Sequence, residues 1–384
     1  MDVINALGSG TENVWAQMMK KTCGITPMRR LTQGLYQTSV SAEIPPDVED
    51  MIRARENCKT NSRAYLFALA VGRQAIRQIS DASSDVDMDK IGLILATTKA
   101  DINEFETIVS GRQGPSPGFS NPGLMASALA NELGLAGPVF AVSNACASGL
   151  VAIIQAARMI QQRDIDTVLV IGVDVLADFL LSGFSSLCAL SPNPCRPYDK
   201  RRDGLSLGEG AAAVIVSRET PGLAALGTIR GWGVSNDANH ITGPSPTGEG
   251  LKLALAKTLN TAKMQPNEID YINGHGTGTL YNDEMESHAY SAVFGKLLPP
   301  VSSMKGYFGH TLGAAGVVET VLCLTAMRHN TIPCNLNFES LGVTRKINIA
   351  DEHIPVDNLK NIITVKCGFG GVNAVLALSA EGRG

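Results

Sequence analysis

Long hydrophobic runs are absent from this sequence, and their absence bears on where the protein resides. No apolar stretch reaches the roughly 18 consecutive residues that indicate a transmembrane helix. The N-terminal stretch MDVINALGSGTENVW lacks both the basic start and the apolar core of a signal peptide. We therefore expect no membrane span and a cytoplasmic protein.

A large excess of either charge is also missing. The 32 Lys and Arg residues nearly balance the 36 Asp and Glu residues, which gives a net charge of −4. A chain this close to neutrality has no general attraction for nucleic acid or for an anionic membrane, so neither is expected as a partner. With 44% hydrophobic and 18% charged residues over 384 positions, the composition is that of a globular protein of one large domain or two medium ones.

The cysteines lack the spacing of a metal site or a redox motif. None of the eight forms a CxxC pair or clusters with histidines as zinc ligands do. A disulfide scaffold is not expected either, because a chain of this length has enough apolar residues to form a core without cross-links. We predict no metal site, and most of the thiols should be inert packing in the core.

Apolar runs alternate with helical patterns along the chain, which indicates a layered α/β fold. Helical periodicity marks 63–79 and 250–264. Breakers near residue 220 predict a boundary there, between an N-terminal half at 1–220 and a C-terminal half at 221–384. Similar alternation in both halves favours a duplicated architecture. Buried strands are predicted at 91–98, 167–175, 211–217 and 375–380.

One cysteine, Cys146, has unusual surroundings. The stretch VSNACASGLV places it among small residues, between an apolar run, GPVFAV, and a helical pattern, LVAIIQAARMI. Burial in the core would explain it, because free cysteine is among the most buried residue types. This window alone therefore favours packing over chemistry.

Three further stretches share this pattern of a strand, a tight turn of small residues and a polar side chain. YINGHGTGTLYNDEMES carries His275, and SSMKGYFGHTLGAAGVVET carries Lys305 and His310. VKCGFGGVNAVL is a glycine-rich turn before the last predicted strand, and glycines let a backbone and a ligand approach closely. A single loop histidine is more often structural, so neither histidine alone assigns a function. No role is assigned to the remaining histidines, His240, His288, His329 and His353.

Taken together, these stretches resemble a known family. NACASG, HGTGT, KGYFGHTLGAAG and GFGG occur in the order found in the β-ketoacyl-[acyl carrier protein] synthases of the elongating type I/II group. The connecting stretch at 195–216, CRPYDKRRDGLSLGEGAAAVIV, is similar as well. The resemblance covers nearly the whole chain. It implies the thiolase-like α/β fold, with two similar halves packed as five αβαβα layers, usually in a dimer.

The resemblance also implies catalytic roles. Cys146 would be the nucleophile, and its place at a helix N-terminus would favour the thiolate. His275 and His310 would stabilise an enolate through their ring N–H groups. Lys305 would act electrostatically and orient neighbouring groups, with Glu319 as the partner that holds it in place.

Further residues fit substrate-binding positions of the family. The hydroxyls of Thr277 and Thr279 would meet the pantetheine arm, and Phe369 would belong to the gate over the acyl channel. The backbone N–H groups of Cys146 and Cys367 would form the oxyanion hole. A decarboxylative Claisen condensation of an acyl thioester with malonyl-[acyl carrier protein] would then extend a fatty-acid, polyketide or polyene chain by two carbons.

The implied substrates arrive on the phosphopantetheine arm of acyl carrier protein, so that protein is the expected partner. No metal or organic cofactor is expected, because decarboxylation itself drives the condensation. The chain is expected to form a homodimer, or a heterodimer with a chain-length-factor homologue in which it is the active subunit.

The sequence departs from the family in three places. Cys367 replaces a common gating phenylalanine, so the acyl-chain-length selectivity of the relatives cannot be assumed for this chain. The altered gate slightly favours a role in specialised biosynthesis over the synthesis of membrane fatty acids. Cys188 lies where relatives often have a basic residue, and little room precedes NALGSG for a full first strand. Four basic residues form either a basic patch for the acidic carrier protein or a solvated helix face: Arg53, Arg55, Lys59 and Arg63.

Two other functions remain open on the same fold. A thiolase would use coenzyme A thioesters and a second catalytic cysteine. The stretch CGFGG offers a candidate for that cysteine, but the HGTGT stretch disfavours the thiolase function. A non-catalytic chain-length partner would typically lack the nucleophile that Cys146 supplies. The sequence also raises a redox hypothesis, a reversible Cys146–Cys367 disulfide under mild oxidant. Its alternative is that Cys367 merely replaces a bulky gate residue and points elsewhere.

Overall fold

The structure, a computed structural model, describes residues 1–31, 36–82, 87–111, 118–218 and 224–381. The domain boundary expected near residue 220 lies outside these described residues. Within them, no helix combines the length and the hydropathy needed to cross a bilayer.

Eleven α-helices are found in the described ranges. They are α1 (Thr11–Met19), α2 (Pro46–Glu56), α3 (Arg63–Ala82), α4 (Ile102–Val109), α5 (Pro122–Leu133), α6 (Ser148–Gln161), α7 (Asp178–Ser186), α8 (Glu249–Ala262), α9 (Leu280–Phe294), α10 (Lys305–Phe308) and α11 (Ala315–His329). Short 3-10 helices cover Met88–Lys90, Pro266–Glu268, Gly295–Leu297 and Leu312–Ala314.

Fifteen β-strands accompany them in the same part of the chain. They are β1 (Asp2–Asn5), β2 (Gly8–Ser9), β3 (Thr26–Pro27), β4 (Val40–Ser41), β5 (Ile91–Ala96), β6 (Val139–Val142), β7 (Thr167–Asp174), β8 (Gly210–Ser217), β9 (Thr228–Asn236), β10 (Tyr271–Asn273), β11 (Val301–Ser302), β12 (Thr331–Ile332), β13 (Ile354–Pro355), β14 (Asn361–Gly368) and β15 (Val372–Ser379).

Two mixed sheets organise the molecule, one from each half. The first has six strands in the order β2-β1-β8-β7-β5-β6. In it β5 runs parallel to β6 and β7, whereas β8 runs antiparallel to β7 and β1. The second has five strands in the order β11-β10-β14-β15-β9, with β10 parallel to β11 and β14 and with β15 antiparallel to its two neighbours. Two-stranded ladders join β3 to β4 and β12 to β13.

Helices cover both faces of each sheet and produce five layers. Helices α6 and α11 lie between the two sheets and contact strands of both. Helices α3 and α5 cover the outer face of the six-stranded sheet, and α8 covers that of the five-stranded sheet, with α9 packed beside it. Separate apolar clusters fill the central and the two outer interfaces. This αβαβα arrangement confirms the thiolase-like fold class.

The two central helices approach each other closely at their N-terminal ends. A methyl group on Gly316 of α11 would lie only 2.1 Å from the backbone nitrogen of Leu150 on α6. Likewise, one on Gly149 would lie 2.7 Å from the backbone nitrogen of Val317. Glycine is needed at this contact because any side chain would push the helices apart. The segments that lead into both helices are therefore brought together.

The predicted elements agree with the structure within a few residues. Strands β5, β7, β8 and β15 cover the four runs predicted as strands, and α3 and α8 cover the two helical patterns. The N-terminus departs from expectation, because Asp2–Asn5 forms a strand despite the short leader. That strand pairs antiparallel with β8, residue by residue from Asp2 opposite Ala213 to Asn5 opposite Gly210.

Candidate active site

Cys146 lies in the tight turn between β6 and α6. The turn is closed by Ser148, whose hydroxyl accepts the backbone N–H of Asn144 at 2.8 Å and donates to the carbonyl of Ala145 at 2.6 Å. Ala145 has a φ of 47°, in the left-handed region that L-residues seldom adopt. Such a turn leaves Cys146 just ahead of the helix, where it is only 6% exposed.

The thiol of Cys146 departs from the expectation of a stabilised thiolate. Burial raises its pKa to about 11, and the opposing effect of Lys305 does not cancel this rise. Desolvation penalises the charged form of a buried thiol more than the helix N-terminus favours it. Burial therefore disfavours the thiolate in the free protein, and its effect on the pKa is larger than the lowering effects of Lys305 and the backbone N–H groups.

The glycine-rich turn lies directly against Cys146. A methyl group on Gly368 would lie 3.3 Å from the backbone nitrogen of Cys146 and 3.1 Å from the carbonyl oxygen of Asn144. The backbone N–H of Phe369 donates to the Cys146 sulfur, and this contact works to lower the thiol pKa against the larger effect of burial. Phe369, two residues after Cys367, is therefore the residue of this turn whose N–H reaches the sulfur, while an oxyanion donor at Cys367 stays a prediction.

Two buried carboxylates on α9 hold the HGTGT loop that follows β10. Glu286 accepts the backbone N–H of His275 at 2.6 Å and that of Gly276 at 2.7 Å. Asp283 accepts the N–H of Thr277 at 3.0 Å. The sequence analysis assigned no role to either carboxylate. Their spacing of three residues, just after a glycine-rich loop at a helix start, was a usable signal.

The two predicted histidines meet in the structure. Their ring centroids lie 5.2 Å apart, with an angle of 82° between the ring planes. Nδ1 of His310 accepts the backbone N–H of Leu312 at 3.2 Å. An accepting Nδ1 carries no proton, so Nε2 of the neutral ring carries one and is a donor. Among the described residues, neither this Nε2 nor Nδ1 of His275 has a hydrogen-bond partner.

Both imidazoles are neutral at physiological pH. Burial, followed by the charges of Lys305 and Lys366, lowers the pKa of His310 well below its usual range. Burial, Lys305, His310 and Lys366 do the same for the pKa of His275. Neutral rings with unpartnered nitrogens, of which Nε2 of His310 carries a proton, suit hydrogen-bond donation to a developing negative charge and disfavour general acid catalysis by an imidazolium.

Lys305 lies beneath the histidines, fully buried. Its ammonium donates to the backbone carbonyl of His275 at 2.5 Å and to Oε1 of Glu319 at 2.9 Å. The predicted partner of Lys305 is therefore in place. Burial works to raise the pKa of Glu319, but Lys305 and Lys366 outweigh it, and the net direction is downward. Lys366 was not singled out in the sequence, and its ammonium lies 2.8 Å from Oε2 of Glu319.

A cavity of about 400 Å³ opens onto these groups. Cys146, His275 and His310 all line it. The hydroxyls of Thr277 and Thr279, 2.9 Å apart, also belong to its lining. A single chamber therefore joins the thiol, the two imidazoles and the predicted pantetheine-binding hydroxyls.

An aromatic pair borders the cavity beside the thiol. The rings of Phe369 and Phe184 stack with centroids 5.6 Å apart. Both line the cavity, as do Cys188 and His240, for which no role was predicted. His240 is exposed, and its Nδ1 accepts the backbone N–H groups of Thr242 and Gly243 at 3.2 Å.

Cys367 packs with the outer apolar cluster of the five-stranded sheet. Its neighbours there include Tyr290 and Val375. Burial raises the pKa of the Cys367 thiol well above its usual range, as it does for Cys146. The redox hypothesis assumed a low-pKa thiolate, and that premise is wrong. Cys367 also lines the cavity together with Cys146, so the disulfide stays a hypothesis that has lost its pKa premise.

The predicted basic patch is mostly neutralised within the chain. Arg53 pairs with Glu49 at 3.1 Å, and Arg55 pairs with Glu56 at 2.7 Å. Arg63 contacts Glu49 at 2.8 Å and also binds Glu209. Three of the four basic side chains therefore form ion pairs within the chain, but the side chains of Arg53 and Arg55 remain 35% and 34% exposed, and contact with a carrier protein stays a prediction.

Metal chemistry has no ligand cluster in the described part of the chain. No group of three or more His, Cys, Asp or Glu side chains there is arranged to hold a metal ion. The eight cysteines are all free thiols.

Models of known families match both halves of the chain. Residues 1–221 match the N-terminal domain of β-ketoacyl synthases, and residues 226–339 match the C-terminal domain. The 3-oxoacyl-[acyl-carrier-protein] synthase 2 of Coxiella burnetii is 30% identical over 403 aligned positions, which cover 99% of this chain and 97% of the relative. These matches favour a synthase over the thiolase alternative.

Solved structures are similar in the same way. A ketosynthase in complex with its chain length factor, from Xenorhabdus doucetiae, superimposes with a TM-score of 0.84 at 30% identity, covering 99% of this chain and 96% of the other. A β-ketoacyl synthase from Burkholderia phymatum gives a TM-score of 0.88 at 25% identity, covering 99% and 97% of the two chains. The similarity extends over the fold as a whole.

Proposed function

This chain belongs to the β-ketoacyl synthase family of condensing enzymes, and from that premise we propose that Cys146, His275 and His310 catalyse its decarboxylative condensation. The observation that carries the assignment is the shared cavity. A buried thiol and two neutral imidazoles with unpartnered ring nitrogens line one chamber. Donors held in place before reaction stabilise developing charge without the cost of reorganisation.

In the first half-reaction, Cys146 attacks the carbonyl carbon of an acyl thioester. The carbon–sulfur bond to the carrier breaks, and the proton of the Cys146 thiol ends on the carrier thiol that leaves. The oxygen that becomes negative in between accepts hydrogen bonds from the backbone N–H groups of Cys146 and Phe369. The contact of the Phe369 N–H with the sulfur supports this pair of donors.

In the second half-reaction, a malonyl thioester enters the same cavity and loses carbon dioxide. The electrons of the broken carbon–carbon bond pass to an enolate, whose oxygen accepts N–H donation from His275 and His310. The enolate carbon then attacks the acyl carbonyl on Cys146, and the released thiolate takes up a proton. Lys305 orients the site by holding the backbone carbonyl of His275.

Replacement of Cys146 by alanine tests this assignment, because the two half-reactions use different residues. We expect Cys146→Ala to lose condensation while malonyl-carrier protein still releases carbon dioxide. Carbon dioxide release and the β-ketoacyl product are measured in parallel, with Cys195→Ala as a control for loss of a buried thiol elsewhere. Full condensation by Cys146→Ala would contradict the assignment.

The chemistry also indicates the partners. We propose that both substrates arrive on the phosphopantetheine arm of acyl carrier protein, which Thr277 and Thr279 meet inside the cavity. Carbon dioxide release supplies the driving force, so the reaction needs no additional metal or organic cofactor. A cytoplasmic location accords with a nucleophilic cysteine and with an exposed free thiol at Cys188.

A second chain of the same fold is the proposed assembly partner. Strand β6 ends the six-stranded sheet, and Phe140 on it is 47% exposed. An edge strand with an exposed apolar side chain favours pairing with another sheet. The complex from Xenorhabdus doucetiae suggests a chain-length-factor homologue as one candidate. Native mass spectrometry distinguishes the cases, since a homodimer forms from this chain alone.

A further inference from the structure

Three buried charged side chains form a cluster next to the two histidines, and the mechanism above assigns a role to only one of them, Lys305. Lys305, Glu319 and Lys366 are each 0% exposed. Glu319 binds Lys305 through Oε1 at 2.9 Å and Lys366 through Oε2 at 2.8 Å. Two ammonium groups and one carboxylate leave one positive charge without a counterion inside the cluster. Burying such a charge away from water is costly, so a compensating benefit is expected.

Lys366 is held firmly in this cluster. Its ammonium forms an ion pair with Oε2 of Glu319, and it donates hydrogen bonds to the backbone carbonyl of Val365 at 2.8 Å and to Oδ1 of Asn273 at 3.2 Å. It also donates to the hydroxyl of Thr364 at 3.2 Å. Asn273 ends β10 two residues before His275, and Lys366 lies on β14 three residues before Phe369. The side chain therefore links the strand that leads to an imidazole with the strand that leads to the oxyanion donor.

We propose that Lys366 is a positioning residue for malonyl decarboxylation: it fixes Glu319 from the second carboxylate oxygen and supplies the surplus positive charge behind His275 and His310. A positive charge there opposes protonation of both rings, which must stay neutral to donate to the enolate. It also favours the enolate itself, whose negative charge forms in a cavity shielded from water. The inference rests on the proposed decarboxylation at these two histidines.

Other charged groups surround the rings but do not replace Lys366. Asp174, Asp283 and Glu286 accept backbone N–H groups from the loops that carry the histidines. Burial raises the pKa values of the Cys146 and Cys367 thiols, which are therefore uncharged. Lys99 is a further cation, paired with Asp174 at 3.1 Å, whereas within the cluster of Lys305, Glu319 and Lys366 the single carboxylate balances only one of the two lysines. Neutralising Lys366 removes the surplus charge.

The test compares Lys366→Met with wild type over a range of pH. Without the second charge the pKa values of both histidines rise, but burial and Lys305 still hold them below the usual range of histidine, so the variant loses decarboxylation at a higher pH than wild type, in the range below about 6.5. We expect the ratio of variant to wild-type carbon dioxide release to fall at least tenfold across that range. Acylation of Cys146, followed by intact mass, should change less. Lys366→Gln, which keeps a donor for Glu319, should show the same shift of the acidic limb.

Thr364→Val is the matched control, because it removes a contact of Lys366 while the charge remains. Its acidic limb should coincide with that of wild type. A pH-independent ratio for both Lys366 variants, or an equal loss in both half-reactions, would refute the proposal. Wild-type protein that acylates Cys146 but releases no carbon dioxide would instead contradict the proposed function.

Discussion

Removal of one imidazole gives a prediction whose size follows from the geometry. Nδ1 of His310 is occupied by the backbone N–H of Leu312, so Nε2–H is the one donor that His310→Ala removes. His275 remains in the variant. Loss of one preorganised donor to a developing oxyanion costs about 3 kcal/mol, or about a hundredfold in rate. We therefore expect malonyl decarboxylation by His310→Ala to fall about a hundredfold.

The assay separates this step from acylation. Carbon dioxide release from malonyl-carrier protein reports decarboxylation, and intact mass reports the acyl-enzyme at Cys146, which should form within about tenfold of the wild-type rate. His329→Ala is the control, because His329 lies at the far end of α11, stacked on Trp15. Equal loss of both steps in His310→Ala would show that the imidazole serves the thiol or the fold, and would refute the donor role.

Two further predictions concern stability. Gly316→Ala places a methyl group 2.1 Å from the backbone nitrogen of Leu150 and should lower the free energy of unfolding by about 1–3 kcal/mol. Gly183→Ala is the control, because its methyl group meets no atom within 4 Å and should leave the free energy of unfolding unchanged. Equal denaturation midpoints for the two variants would contradict the packing argument. Burial raises the pKa of Asp2 to about 6, so the folded state holds this proton more tightly than the unfolded state and stability falls as pH rises from about 4 to 6. Asp2→Asn should flatten that part of the curve of melting temperature against pH, and parallel curves would exclude Asp2 as the cause.

The proposed catalytic groups could be selected from sequence because four short motifs occur together in one order that resembles a known family, whereas each motif alone favours a structural role. Cys146, His275 and His310 each follow a short apolar run and stand among small residues, so a reader of the chain meets strand, turn and functional group together. The layered fold followed from the alternation of strands and helices for the same reason. Sequence patterns that span only a few neighbouring residues predict local structure well, because the contacts on which they depend form between those same residues.

Features that depend on distant contacts were missed or misjudged. Lys366 reads as an ordinary strand residue, and its partner Glu319 lies far earlier in the chain, on α11. The pairing of Arg63 with Glu209, which lies 146 residues later in the chain, was missed in the same way. The contact of the Phe369 N–H with the Cys146 sulfur depends on the conformation of the glycine-rich turn, which the motif alone does not report. The thiol pKa depends on burial, which short motifs do not report.

The burial of Cys146 has a consequence for inhibitor chemistry. Small alkylating reagents react with a thiolate, and this thiol is 6% exposed with its pKa raised to about 11 by burial. A small alkylating reagent that relies on its reactivity alone should therefore modify Cys146 slowly and leave most of the protein active. A compound that first fills the cavity and places an oxygen against the N–H groups of Cys146 and Phe369 would gain affinity before any bond forms. Selectivity among cellular thiols would then come from fit to the chamber.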